Sequence, residues 1–310
     1  MAEKEGFRYN MLVITGPTAS GKTSLAAEMA FLLGGEVISA DSRQVYRGMN
    51  LGTGKDYNDY VAGGKRIPCH LIDIADPGYK YNVFEYQRDF TRVLADLEMR
   101  EVFPVVCGGS GMYVDAVVSG YSLKEVPPDP VLRSELEKKT MQELTVILAS
   151  FKKLHNKTDL DSKKRAIRAI EICRYESVNP GRITEGPSVK PIVAGILFNR
   201  ERRRERISSR LRQRLAEGMC DEVSGLLERG IDPEALIYYG LEYKYITLYL
   251  TGRLTYDEMF RSLEIAIHQY AKRQMTWFRG MERKGVDIHW IDGELSMQEK
   301  TEAVMALLRT

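Results

Sequence analysis

The sequence predicts an α/β fold: a parallel sheet flanked by helices and interrupted by a helical insertion. Three observations predict it. A glycine-rich loop joins a strand-like run to a helix-like run at residues 11–30. Further β-branched runs then alternate with helical stretches, and a proline-rich break leads into a charged helical segment with little strand signal.

The first strand is the apolar run Met11–Thr15. Residues Gly16, Pro17, Thr18, Ala19, Ser20, Gly21, Lys22 and Thr23 follow it as a complete G-x-x-x-x-G-K-[ST] loop, and Ser24–Ala30 opens a helix. Gly16 and Gly21 allow the backbone to curl so that successive N–H groups point inward at a helix N-terminus, which makes a nest for an anion. Lys22 adds a point charge, and the Thr23 hydroxyl is placed to bind a Mg²⁺ carried by phosphates. On the loop alone the expectation is an ATP or GTP site.

The second strand is Glu36–Ser39, with Asp41 just beyond its C-terminal end, the edge where open α/β sheets hold ligands. A helix at Phe84–Met99 and a strand at Val102–Cys107 continue the alternation. Val126-Pro127-Pro128-Asp129-Pro130 breaks it, residues 131–176 read as helical, and Asn179-Pro180-Gly181 marks the exit. Ile192–Leu197 returns to the sheet, ahead of an arginine-rich helix and a largely helical C-terminal part. The expected division is a catalytic domain of residues 1–125 and 180–310 around an insertion at 126–179.

At 310 residues and 44% hydrophobic composition the chain suits a soluble globular protein, and no apolar run approaches a membrane span. The polar start Met1–Glu5 has no signal-peptide core. Cys69, Cys107, Cys173 and Cys220 lie far apart, as reduced thiols of a cytoplasmic protein do. A net charge of +2 says nothing of nucleic acid by itself, but its distribution does. Eight arginines crowd residues 200–214, and Arg202, Arg206, Arg210 and Arg214 recur on one helical face. Ile207, Leu211 and Leu215 run beside them as a packing stripe. A solvated helix would alternate acids and bases more evenly, so a ridge facing phosphates is expected. Lys163, Lys164, Arg165 and Arg168 head another helix. Lys272, Arg273 and Arg279 surround Trp277 and Phe278, a mixture that suits unstacked bases and phosphates. Trp277 itself fits core packing or base stacking equally.

Taken in order, GPTASGKT at 16–23, SADSRQVYRGMNLGTGK at 39–55, HLID at 70–73, GGSGMY at 108–113, RISSRLRQRLAEGMCDEV at 206–223 and YAKRQMTWFRG at 270–280 resemble the tRNA dimethylallyltransferases, also called tRNA isopentenyltransferases. The resemblance covers the chain from about residue 11 to about residue 290. It implies a P-loop-kinase-like fold that transfers a five-carbon prenyl group instead of a phosphoryl group. It further implies a helical insertion on the anticodon stem-loop of tRNA, dimethylallyl diphosphate as donor, Mg²⁺ as cofactor, and adenosine 37 as acceptor. No membrane partner is expected, and the protein is expected to be a monomer.

The exocyclic amine of adenine is a poor nucleophile, because its lone pair is delocalised into the ring. Alkylating it requires a nearby base and a well-stabilised leaving group. Asp41 is the candidate base. Lys22, the loop N–H groups and, by resemblance, Arg206 and Arg210 would hold the leaving diphosphate. Ser110 stands where the family usually carries Thr in a G-G-T motif, and would reach the bridging oxygen. The target base must leave its stack and enter a channel. The resemblance places Asp41, Ser42, Arg43, Gln44, Ser110 and Arg133 on the RNA, and Lys164, Arg165, Arg168, Lys272, Arg273, Gln274 and Arg279 belong to the basic clusters that would contact it. Two departures, Asp161-Ser162 for the usual Asn-Asp and Leu241-Glu242 for the usual Tyr and cation, are expected on the RNA side. His70 and Asp73 fit structural hydrogen bonding as well as a site role.

Three alternatives compete. A nucleotide kinase with an arginine-rich lid shares the loop and Asp41, but leaves GGSGMY and KRQMTWFR unexplained. A prenyltransferase acting on free AMP, ADP or ATP would need neither the insertion nor the basic C-terminal region. A non-catalytic tRNA-binding protein would have no use for an intact loop beside Asp41 and Ser110.

Overall fold

The computed structural model describes residues 8–120, 125–153, 158–179 and 189–309, and it divides into two compact units, Met1–Tyr121 with Gly186–Thr310, and Ser122–Glu185. The first unit begins with Met11–Thr15 (β1), Lys22–Leu33 (α1), Gly35–Ser39 (β2), Val61–Ala62 (β3), Lys65–Arg66 (β4) and Cys69–His70 (β5). Val83–Met99 (α2), Phe103–Gly108 (β6) and Gly111–Val118 (α3) follow. The second unit holds Pro130–Glu137 (α4), Met141–Phe151 (α5) and Lys163–Val178 (α6). The first unit resumes with Pro191–Leu197 (β7), Arg200–Ala216 (α7), Met219–Glu228 (α8), Pro233–Tyr238 (α9) and Leu241–Leu250 (α10). Tyr256–Arg283 (α11), Ile288–Asp292 (β8) and Met297–Arg309 (α12) complete it.

The sheet runs β5-β2-β6-β1-β7-β8, and every neighbouring pair is parallel. Both faces are covered, so its central strands are apolar along their length instead of alternating with polar residues. Every residue of β1 and β6 is buried. Side chains still alternate between faces. Leu12 and Ile14 pack with Val37, Val105, α1 and α12 on one side, while Met11 and Val13 pack with Ile38, Val106, α2, α3 and α11 on the other. A third core joins Val45, Tyr46 and Met49 to α7, α8, α10 and α11. The C-terminal part is largely helical, as expected, and β8 adds an edge strand beside β7, with Trp290 packed against Gly195.

In the second unit Leu132, Leu136, Leu144, Leu148, Ile167 and Ile170 form a small core of their own. Asp129 caps α4 ahead of Pro130, and Ser162 caps α6. The buried carboxylate of Glu171 accepts hydrogen bonds from Arg133 at 2.8 and 2.9 Å, from Arg168 and from the Asp129 backbone N–H at 2.7 Å. Burial opposes its ionisation, but these donors carry it below the usual carboxylate range. Arg133 and Arg168, both expected on the RNA, are paired with Glu171 in this structure and remain 42% and 40% exposed. Arg165 pairs with Asp161 at 2.8 Å, and Lys164 is exposed.

Candidate functional site

Parallel strands that start on one side of a sheet all finish on the other, and the loops after β1, β2 and β6 meet there. The Thr15 hydroxyl donates to Gly108 O at 2.9 Å and fixes the first of those loops against the third. Gly16 must be glycine. Its φ is 148°, and a Cβ there would stand 2.7 Å from Ile196 O of β7. Gly21, with φ 80°, is the N-cap of α1. The Ser20 Oγ in this loop is buried without a hydrogen-bond partner, an orphan that a ligand phosphate would satisfy. Lys22 is half-buried. Burial pulls its pKa down, and the negative charge of Asp41 works against that pull.

Asp41 follows β2, whose exit is fixed by the bond from Ala40 N to Cys107 O at 2.8 Å. Its Oδ1 accepts from Arg43 N at 2.9 Å, which holds the carboxylate at the turn. Ser110 caps α3, and its Oγ accepts from Ser42 N at 2.9 Å and donates to Ser42 Oγ at 3.2 Å. The Tyr270 phenol, from α11, also reaches Ser110. Burial pushes that phenol well above its ordinary value.

Helix α7 supplies the cations. Ile207 and Leu211 are buried as expected, and the ridge beside them meets the loop. Arg206 donates from Nε to Ala19 O at 2.9 Å and lies 4.4 Å above the Phe198 ring, so it braces the phosphate loop. Arg214 reaches Asp56 at 2.8 Å and Arg210 stands 3.6 Å from the same oxygen. Burial and the neighbouring Arg214 lower Arg210 to about 10, so it stays charged at neutral pH.

A cavity of about 370 Å³ brings together Thr18, Gly21, Lys22, Thr23, Asp41, Ser42, Arg43, Gln44, Arg210, Arg273 and Gln274, all named from the sequence. Arg214, expected on the phosphate-facing ridge, lines it as well, as do Asp59, Glu242 and Tyr270, which sequence reasoning had not placed in the site. Helical phase gives the signal for two of them: Arg214 is one turn beyond Arg210, and Tyr270 one turn before Gln274. Glu242, one of the two departures from the family pattern, lines the same cavity as Asp41, and burial raises its pKa. A second cavity of about 750 Å³, lined by Arg202 and Arg206, shares Gly21, Asp59, Arg210 and Arg214 with the first.

Other expected RNA contacts divide by phase. Lys272 and Arg279 are exposed on the outer side of α11. Gln274 is buried, with its carbonyl accepting from Thr18 N at 2.9 Å and its amide donating to Gly109 O at 2.7 Å. Gln44 is likewise buried and bonded, to Gly54 O and to Ser39. In this structure each amide donates one bond and accepts one within the protein. Trp277 is 37% exposed and packs on Gly111, where a Cβ would come within 2.4 Å of the ring. His70 pairs with Glu36 at 2.6 Å, and Asp73 with Lys55 and Tyr57, both as structural links.

A family model described as IPP transferase matches residues 44–281. The chain is 58% identical to tRNA dimethylallyltransferase 1 of Parabacteroides distasonis, covering 97% of this chain and 98% of that one. It is 56% identical to tRNA dimethylallyltransferase 2 of Phocaeicola vulgatus, over 98% and 99%. Among solved structures, the tRNA isopentenylpyrophosphate transferase of Bacillus halodurans matches with a TM-score of 0.69 and 32% identity, over 97% of this chain and 95% of that one. A eukaryotic dimethylallyltransferase acting on tRNA shares the fold, with a TM-score of 0.76 and 22% identity, over 96% and 77%. The similarity spans the cavity, its phosphate loop and its arginine helix alike, and the chain belongs to the IPP transferase family.

Proposed function

We propose that the chain transfers a dimethylallyl group from dimethylallyl diphosphate to N6 of adenosine 37 of tRNA, as a monomer in the cytoplasm. One observation carries this reading: a phosphate loop and an acid at a strand end, Lys22 and Asp41, face a single cavity. The names of the relatives favour a prenyl donor and an RNA acceptor over a phosphoryl transfer. Among the described residues no helix is long and apolar enough to cross a membrane.

The loop N–H groups and Lys22 bind the diphosphate, with Arg210 and Arg214 beside them. The bond between C1 of the prenyl group and the bridging oxygen breaks, and its electron pair leaves with the diphosphate. The N6–C1 bond forms as Asp41 takes a proton from N6. Cations already in place around the leaving group stabilise its growing charge without reorganising. Ser110 accepts from the N–H of Ser42, the residue after the acid.

The residues present fit Mg²⁺. Thr23 and Asp59 line the cavity, yet no group of three or more His, Cys, Asp or Glu side chains among the described residues could hold a metal unaided. A magnesium ion needs only one or two protein oxygens when phosphates and water complete its shell. Bound there by Thr23, it would offset diphosphate charge.

The test is transfer of labelled dimethylallyl diphosphate, with Mg²⁺, to unmodified tRNA, AMP and ATP in parallel. Label in tRNA alone is expected. Label in AMP or ATP would make the chain a free-nucleotide prenyltransferase, and phosphate released from ATP with no label transferred would make it a kinase.

A further inference from the structure

We infer that Gln274 is a positioning residue, which sets the span between the phosphate loop and the loop carrying Ser110. Its two polar atoms do opposite jobs on two different loops. The carbonyl receives Thr18 N–H of the loop after β1, and the amide donates to Gly109 O of the loop after β6. From Gly109 the connection runs on through Ser110 to Ser42 N, next to Asp41. One side chain thus ties the leaving-group side of the cavity to the acceptor side. The fit around it is close. A Cβ on Gly109 would lie 2.7 Å from Gln274 Nε2, 3.0 Å from Gly16 O and 3.3 Å from Lys22 Cε. Only a residue with both an acceptor and a donor at this reach can hold both loops. Its helix makes the link rigid, because Ile267, Tyr270 and Gln274 share one face of α11 and all line the cavity.

This inference rests on the proposed transfer reaction, and wild-type transfer to tRNA is the control that separates the two. If the wild-type enzyme labels no tRNA, the reaction is misread. If it labels tRNA, the variants decide the inference alone. Gln274→Met keeps the length and loses both bonds. Its single-turnover rate at saturating substrates should fall about 10- to 100-fold, as a displacement of reacting groups near 1 Å does, while its Kd for tRNA stays unchanged. A rate like wild type, or a tRNA Kd that weakens in proportion to the rate, would overturn the inference.

Gln274→Glu supplies a second readout that holds even if the methionine variant does not fold. Ionised, the new carboxylate can accept from Thr18 N but repels Gly109 O. Protonated, it regains a donor and restores both bonds. The ratio of variant to wild-type rate should therefore rise, by about threefold or more, as pH falls from about 8 to about 6, since burial raises a carboxyl pKa. Lys22, Asp41, Arg43, Asp59, Arg210, Arg214, Tyr239 and Glu242 from other elements, and Tyr270 and Arg273 from its own helix, line the same cavity and are common to both enzymes. A flat ratio would overturn the inference.

Discussion

Arg214 donates from Nη2 to Asp56 Oδ2 at 2.8 Å, and that bond anchors a pair of cations at the mouth of the phosphate loop. Arg210 shares the same oxygen at 3.6 Å. Two guanidiniums on one carboxylate leave a net positive charge in a poorly solvated place, which a diphosphate would neutralise. Arg214→Ala should raise KM for dimethylallyl diphosphate about 10- to 150-fold, the value of a charge-assisted hydrogen bond. Steady-state kinetics at saturating tRNA check it. An unchanged KM with a lowered Tm would make the arginine a brace and nothing more.

Asp41→Ala should abolish transfer while calorimetry still detects diphosphate binding. Asp41→Asn should behave alike, because an amide cannot take the N6 proton. Loss of binding together with transfer would assign Asp41 to metal or structure instead.

Glu171→Leu should melt the unit of α4, α5 and α6 ahead of the rest. The substitution strands two guanidiniums whose side chains are 42% and 40% exposed, so water recovers part of the loss. The expected cost is about 2–3 kcal/mol, below that of a fully buried broken pair. Hydrogen exchange on that unit measures it, with diphosphate affinity as the unaffected control.

The acid limb of stability should depend on Glu36. Hydrogen bonds from Arg100 at 2.8 Å lower its pKa to about 2, with burial opposing and His70 assisting. A carboxylate whose folded pKa is depressed stabilises above its unfolded value near 4.5, and that contribution fades as pH falls toward about 2. Glu36→Gln should lower stability by about 1–3 kcal/mol at pH 7 and flatten the dependence below about pH 4.5. Urea melts across that range test both.

The strands β1, β2, β6 and β7 are legible because strands buried on both faces are written as short continuous apolar runs. Ile288–Asp292 is not, since its alternation is weak and its place depends on Trp290 finding Gly195 far away in the chain. Lys22 and Asp41 are likewise legible, each carried by a local motif. Glu242 comes from α10, and only tertiary packing delivers it to the cavity. Gln274 shows the difference most directly. Chain proximity groups it with Lys272 and Arg273, whereas helical phase groups it with Ile267, Tyr270 and Phe278, and phase decides which side of a helix a residue serves.

The close approach of Gly16 to Ile196 has a consequence for synthesis. The phosphate loop is made before either of its supports, because β1 must wait for β6 on one side and for β7 on the other. The whole second unit emerges between those two partners. The nascent loop is therefore unsupported until β7 has been made, and a chain halted before residue 197 should bind no diphosphate even though every residue of its loop is present.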